Sequence, residues 1–254
     1  MQIQADITWL IAILLISIRV GAVFLFTPVF SSLQAPAHFR VLFIMALSLL
    51  IAASVKILPV AQPLLLGDLI RAALSELVIG GLFAFGLFTV FGAFVLGGKI
   101  IDLQMGFGVA TLIDPATRSE APLMGTFLNL LAVMLFFAVD GHHMLIRGLA
   151  FSLAHIPPGA GLTDIDPAVV ISQFGAMFVY GLIIVAPALF SILLLDVGLA
   201  VMARTMPQVN IFIVSIPLKI FVGLLVTAVS LHYMGPKIAT IFESIFIYWQ
   251  ILVS

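Results

Sequence analysis

Apolar runs cover almost the whole of this 254-residue chain, interrupted only by short segments that hold most of its prolines and charges. An α-helix needs a run of roughly 20 apolar residues to cross the hydrocarbon core of a bilayer. Composition agrees, with 63% of residues hydrophobic, 8% charged and a mean hydropathy of +1.34. Ordinary soluble domains are about half apolar and about a quarter charged. The sequence therefore predicts an all-α membrane protein, organised as one membrane domain over 1–254 with no stretch left for a separate soluble domain.

The net charge of −1 gives no electrostatic reason to expect nucleic acid, and no basic tail follows an apolar run to tether the chain to anionic lipid. The absence of cysteine excludes a disulfide framework, a thiol nucleophile and a thiolate metal site. The first residues, Met1 to Asp6, lack the positive n-region of a secretory signal, so the run that follows is expected to remain as the first helix.

Hydrophobic helices are predicted at 7–30, 41–58, 69–97, 121–139, 168–195, 205–233 and 238–253. Only 77–98, 121–139 and 168–195 are both free of Asp, Glu, Lys and Arg and close to spanning length. Arg19, Lys56, Arg71, Glu76 and Lys219 fall within or at the ends of apolar runs. A charge at a span centre costs roughly 2.5–3.5 kcal/mol on insertion scales unless it is satisfied. Arg19, Arg71, Glu76 and Lys219 are therefore read as structural buried charges whose helices are shielded by other subunits. The alternative is a six-span transporter whose charges snorkel to the interfaces. Basic residues fall on both alternating sides, so orientation stays open.

Spacing sharpens some of these readings. Asp68 and Arg71, like Lys99 and Asp102, stand three residues apart and could pair on one helical face. Glu76 lies five residues beyond Arg71, roughly 140° around a helix, and needs a partner from another helix. Gly80, Gly81, Gly86, Gly92, Gly97 and Gly98 mark a helix built for close packing, and Gly80/Ala84 and Ala93/Gly97 have the four-residue spacing that lets backbones approach.

Motifs for chemistry are sparse. Asp140-Gly141-His142-His143 holds metal-ligand residue types, but adjacent histidines on a helix point in different directions, and the expectation is a polar helix end closed by Gly141, with no metal. His38, His155 and His232 read as interfacial. Gly97-Gly98-Lys99 lacks phosphate-loop spacing and follows a membrane helix. No serine sits in a glycine-framed nucleophile motif, so hydroxyls are expected to bond locally. Neither an enzyme nor a cofactor is indicated.

The segment 98–123 differs from its surroundings and reads as a long inter-helix connector. Gly106 and Gly108 permit unusual backbone angles, whereas Met105, Phe107, Val109 and Leu112 are costly to leave in water. Such a loop can deform to close a pore, and an interfacial or re-entrant loop is the other reading.

In order and spacing, these motifs resemble the FliR family of flagellar export-gate proteins over nearly the full chain. The resemblance runs from Arg19 and Pro28 through Pro36, Arg40 and Glu76 with its glycine-rich helix. It continues with Asp102-Leu103-Gln104-Met105-Gly106-Phe107, Asp114-Pro115, Asn129, Phe136-Phe137-Ala138-Val139-Asp140-Gly141-His142-His143, Ser152 and Pro157. Pro187, Asp196, Arg204-Thr205-Met206-Pro207-Gln208-Val209-Asn210 and Pro217-Leu218-Lys219 close the series. Ser215 departs from the glycine that the pattern has two residues before that last proline.

The resemblance implies a non-enzymatic, multi-helix subunit with helical hairpins, packed in a hetero-oligomeric type III export gate with FliP and FliQ. FlhB is the further partner it implies, and unfolded flagellar proteins are the cargo crossing the bacterial inner membrane at the flagellar basal body. It also implies a pore plug formed by the loop holding Gln104, Met105, Gly106, Phe107, Gly108, Val109, Ala110 and Leu112. A virulence-type secretion counterpart is the neighbouring alternative, and a small-solute secondary transporter would require inverted halves that are not visible.

Overall fold

The computed structural model describes residues 7–27, 36–55, 66–107, 122–161, 165–206, 208 and 210–253, and these residues form an all-helical chain. The helices are α1 (Ile7–Phe26), α2 (Ala37–Val55), α3 (Leu66–Met105), α4 (Leu123–Ala138), α5 (Gly141–His155), α6 (Pro167–Thr205), α7 (Ile211–Tyr233) and α8 (Gly235–Val253). Six of the described helices are long and apolar enough to cross a membrane, or seven if α4 and α5 together make one broken span. The chain is a multi-span membrane protein.

The predicted helices are present, but α6 runs ten residues past the predicted 195 to Thr205 and α7 starts only at Ile211, and two further corrections apply. First, α3 does not stop at 97 but runs unbroken for 40 residues to Met105, so the connector begins eight residues later than the sequence suggests. Gly97 and Gly98 do not end the helix because both are used for packing. Second, 141–155 is a helix that a search for spanning runs passes over. At 15 residues it is too short to span, yet it buries Leu145, Leu149 and Leu153 at four-residue intervals. Gly141 opens this helix instead of closing the previous one. A side chain there would meet the Phe136 ring at 2.4 Å.

The chain forms two compact units, each assembled from separate stretches: 1–89, 136–174 and 243–254 in the first, 90–135 and 175–242 in the second. In the first unit the α1 residues Leu15, Ile16, Val20 and Val23 are fully buried, following the three- and four-residue spacing of one helix face. Ile79, Phe83 and Leu87 continue this core on α3, and Trp249 enters from α8. The indole Nε1 of Trp249 donates to the Phe83 carbonyl oxygen at 3.0 Å. Gly86 and Gly148 make room for that ring, since a Cβ on Gly148 would lie 2.2 Å from it. A polar bridge adds to this core: Gln173 Nε2 donates to Thr89 Oγ1 at 2.9 Å, with both side chains buried.

In the second unit small residues set how closely the helices approach. A Cβ on Gly97 would meet the Gly181 carbonyl oxygen at 2.9 Å, and one on Gly98 would meet Gly125 Cα at 2.4 Å and its nitrogen at 2.5 Å. Phe91 and Phe94 pack on Phe242, each at 5.9 Å between ring centres. Hydroxyls behave as expected of membrane helices. Ser48, Ser75, Ser191 and Thr227 each donate to a carbonyl one turn back in their own helix.

The contact at Gly98 is backbone against backbone, so no flexible side chain is available to yield. Gly98→Ala is expected to lower the stability of the detergent-purified chain by about 1–3 kcal/mol. Gly81, which has nothing within 4 Å, serves as the control. Gly81→Ala should change stability by no more than about 0.5 kcal/mol. Thermal unfolding of the two variants side by side reads the difference.

Candidate functional site: buried charge and the root of the connector

Arg19 on α1 and Glu76 on α3 are both fully buried. The partner that helix geometry requires Glu76 to find on another helix is this arginine. Arg19 Nε donates to Glu76 Oε2 at 2.5 Å and Nη2 donates to Oε1 at 2.9 Å, giving a two-pronged pair. The remaining prong, Nη1, donates to Ser152 Oγ at 2.9 Å and to the Ile156 carbonyl oxygen at 3.0 Å. The Gly159 amide donates to Glu76 Oε1 at 3.0 Å. Gly159 has φ +83, a left-handed backbone that suits glycine. Ser152 and Pro157 flank this site in the motif series, but no spacing rule in the sequence connects either of them to Arg19.

The other buried-charge expectations come out differently. Lys219 on α7 pairs with Asp196 on α6 at 2.5 Å, with the side chains 22% and 37% exposed. The pair joins α6 to α7 and lets each helix carry its charge within an apolar run. Arg71 is not buried: it is exposed, and no ion pair joins it to Asp68 among the described residues. Both line an open cavity of about 550 Å³ with Ser75, Gly159 and Gly161.

Asp102 does not pair with Lys99 either. It reaches from the end of α3 to the start of α4, where its carboxylate accepts from the Met124 amide at 3.0 and 3.1 Å and from the Gly125 amide at 3.2 Å. These are the second and third residues of α4, whose amides have no partner within their own helix. Asp102 thus caps a helix that begins 21 residues further along the chain. The residues that follow end α3 with a left-handed closing turn. Gly106 has φ +85, its amide donates to Leu103, and the Phe107 amide donates to Asp102.

The described part of the predicted plug divides at this turn. Gln104 is exposed. Met105 is the last residue of α3 and is fully buried, with its side chain lying against Gly223 and Ile192 close by. Met105 is therefore an anchor of the helix end. Gly106 and Phe107 are half-buried, while Gly108, Val109, Ala110 and Leu112 lie outside the described residues.

This is a multi-span helical membrane protein in which the buried Arg19, Glu76 and Asp102 hold helices together. The sequence profile of the family described as "Bacterial export proteins, family 1" matches residues 10–245. The chain is 29% identical over 236 residues to the flagellar biosynthetic protein FliR of Bacillus subtilis strain 168, covering 91% of this chain and 90% of that one. It is 31% identical over 242 residues to the FliR of Aquifex aeolicus strain VF5, covering 94% and 92%. A more distant relative is the Yop proteins translocation protein T of Yersinia pestis, 26% identical over 148 residues and 57% of each chain. The chain belongs to bacterial export protein family 1, the FliR family, and is a membrane component of protein export, not an enzyme.

Removing either member of the buried pair leaves the other charge uncompensated. Arg19→Ala and Glu76→Ala are each expected to cost about 3–5 kcal/mol, with the double variant losing less than the sum. Arg71→Ala should stay within about 0.5 kcal/mol of the parent. Recovery of monodisperse chain from detergent and its unfolding midpoint check the series. A parent-like Glu76→Ala would refute the structural reading.

Proposed function

We propose that this chain is a structural, pore-forming subunit of the flagellar type III export gate. In this role it assembles with FliP and FliQ, works beside FlhB and conducts unfolded flagellar proteins across the bacterial inner membrane at the flagellar basal body. The full-length similarity to FliR proteins carries this reading. The flagellar branch is favoured over a virulence-type system because the FliR relatives match 91% and 94% of the chain against 57% for the Yersinia protein.

Physical support comes from what the helices leave uncovered. Leu182, Phe190, Leu193 and Val197 on α6 and Ile213, Phe221, Leu225 and Val229 on α7 are all exposed in the isolated chain. Lipid and the apolar faces of FliP and FliQ would cover them. The charged network supports a framework role, since each prong of Arg19 is committed to a fixed partner and a guanidinium does not release its proton. A proton relay would need a group that exchanges.

The connector that follows α3, up to Ala121, is the plug of this conduit when export is idle. Its apolar members Phe107, Val109 and Leu112 provide a dewetted obstruction, and Gly108 allows cargo to displace it. Shortening the loop beyond Phe107 while keeping Asp102 and Pro122 is expected to leave assembly intact and to raise the ion conductance of the reconstituted complex. Native mass spectrometry of the same preparation should show FliP and FliQ in fixed ratio with the chain. A shortened complex as tight to ions as the parent would rule out the plug, and a stable, partner-free monomer from cells expressing all subunits would rule out the gate.

A further inference from the structure

The turn between α4 and α5 sets Asp140 beside two histidines whose side chains lie together although they leave adjacent positions of α5. Adjacent helical residues diverge by roughly 100°. Asp140, just before the helix, adopts the left-handed backbone, φ 56 and ψ 27, alone among the described non-glycine residues. The two imidazole rings that follow lie 4.1 Å apart between centres. One ligand atom each from Asp140, His142 and His143 falls within a sphere of mutual distances no greater than 4.8 Å. Asp140 stands at the N-cap position but makes no side-chain cap hydrogen bond, leaving its carboxylate uncommitted to the helix. Its Oδ1 lies 3.4 Å from His143 Nδ1.

A second observation points to a ligand. The Nδ1 atom of His142 is buried and has no hydrogen-bond partner. A buried polar atom without a partner is costly, and few native structures keep one without a purpose. The ring is held in place by Phe137, at 5.4 Å between centres.

We propose that Asp140, His142 and His143 bind a divalent first-row transition metal, with Zn²⁺ as the fitting ion, and that the metal pins the turn between α4 and α5. Two imidazole nitrogens and one carboxylate oxygen suit Zn²⁺ and its neighbours better than Ca²⁺ or Mg²⁺, which take oxygen ligands. Three protein ligands and a water complete a tetrahedron with bonds of roughly 2.0–2.1 Å. Closing the cluster onto such an ion needs only side-chain rotation. Asp140 and His143 are free to rotate, with side chains 75% and 63% exposed, while the less exposed His142 stays fixed. The positive end of α5 opposes a cation, and the Asp140 carboxylate offsets it.

The test uses the full chain, solubilised in detergent through a tag that contains no histidine, with Co²⁺ and Zn²⁺ as probes. The parent should take up one equivalent of Co²⁺ with the visible absorption of a tetrahedral centre, and Zn²⁺ should displace it. His143→Ala and Asp140→Asn, both at exposed side chains, should weaken Zn²⁺ binding by roughly tenfold or more. His155→Ala and His232→Ala should bind as the parent does. Added Zn²⁺ should raise the unfolding midpoint of the parent and not that of His143→Ala. Absence of stoichiometric binding, or parent-like binding by a His142→Ala/His143→Ala double variant, would overturn the proposal.

Discussion

The two-pronged pair between Arg19 and Glu76 fixes more of this structure than any other interaction. Neither charge is tolerable alone in an apolar interior, so α1 and α3 must meet in the register that joins them. Gly80 makes that meeting possible. It lies one turn beyond Glu76 on the same face, and a Cβ there would sit 2.7 Å from the Arg19 carbonyl oxygen and from Ala22 Cβ. Removal of that side chain lets the arginine-bearing backbone come close enough for Glu76 to accept both prongs. Ser152 and Ile156 then occupy the third prong, which brings the end of α5 into the same network.

The second unit uses the same device with different partners. Asp102 lies one turn beyond Gly98 on α3, as Gly80 lies one turn beyond Glu76. Gly98 allows the start of α4 to touch the α3 backbone at Gly125, and Asp102 accepts from the amides of Met124 and Gly125. In both units a carboxylate and a glycine share one helical face. The glycine sets the approach and the carboxylate satisfies what the approach brings near. Close packing and polar satisfaction are thus one requirement, which is stringent in a membrane because lipid offers no competing hydrogen bonds.

Much of this was legible in the sequence because hydrophobic length is a strong signal. The spanning helices follow from it, and so does the need of Glu76 for a partner on another helix. What was not legible depends on pairing across the chain. Asp102 meets Met124 at a separation of 22 residues, and the local pairing rule favoured Lys99 instead. The short helix α5 was hidden because its buried stripe of Leu145, Leu149 and Leu153 is sparse and its polar residues are many. Arg71 is exposed in the isolated chain, and an apolar neighbourhood in sequence does not distinguish a helix end from a helix middle. The proximity of the His142 and His143 rings was not legible because side-chain rotamers, and not the helical spacing of their backbones, bring them together.

The geometry at the root of the connector also bears on how a plug can work. Gly106 ends α3 with its own backbone hydrogen bonds, Met105 is buried against Gly223, and Asp102 holds the first turn of α4. Both ends of the loop are therefore held by contacts among described residues outside it. Loop-closure entropy is already met by this fixed root, so rearrangement of the loop need not reopen either helix. A plug displaced by cargo can return repeatedly only if its displacement leaves the framework folded. If Asp102 and Gly106 instead moved with the loop, each opening would expose the unsatisfied amides of α4 and the buried Met105, and the barrier to export would include the cost of local unfolding. Anchoring at Asp102, Met105 and Gly106 is what a reversible plug requires of its root.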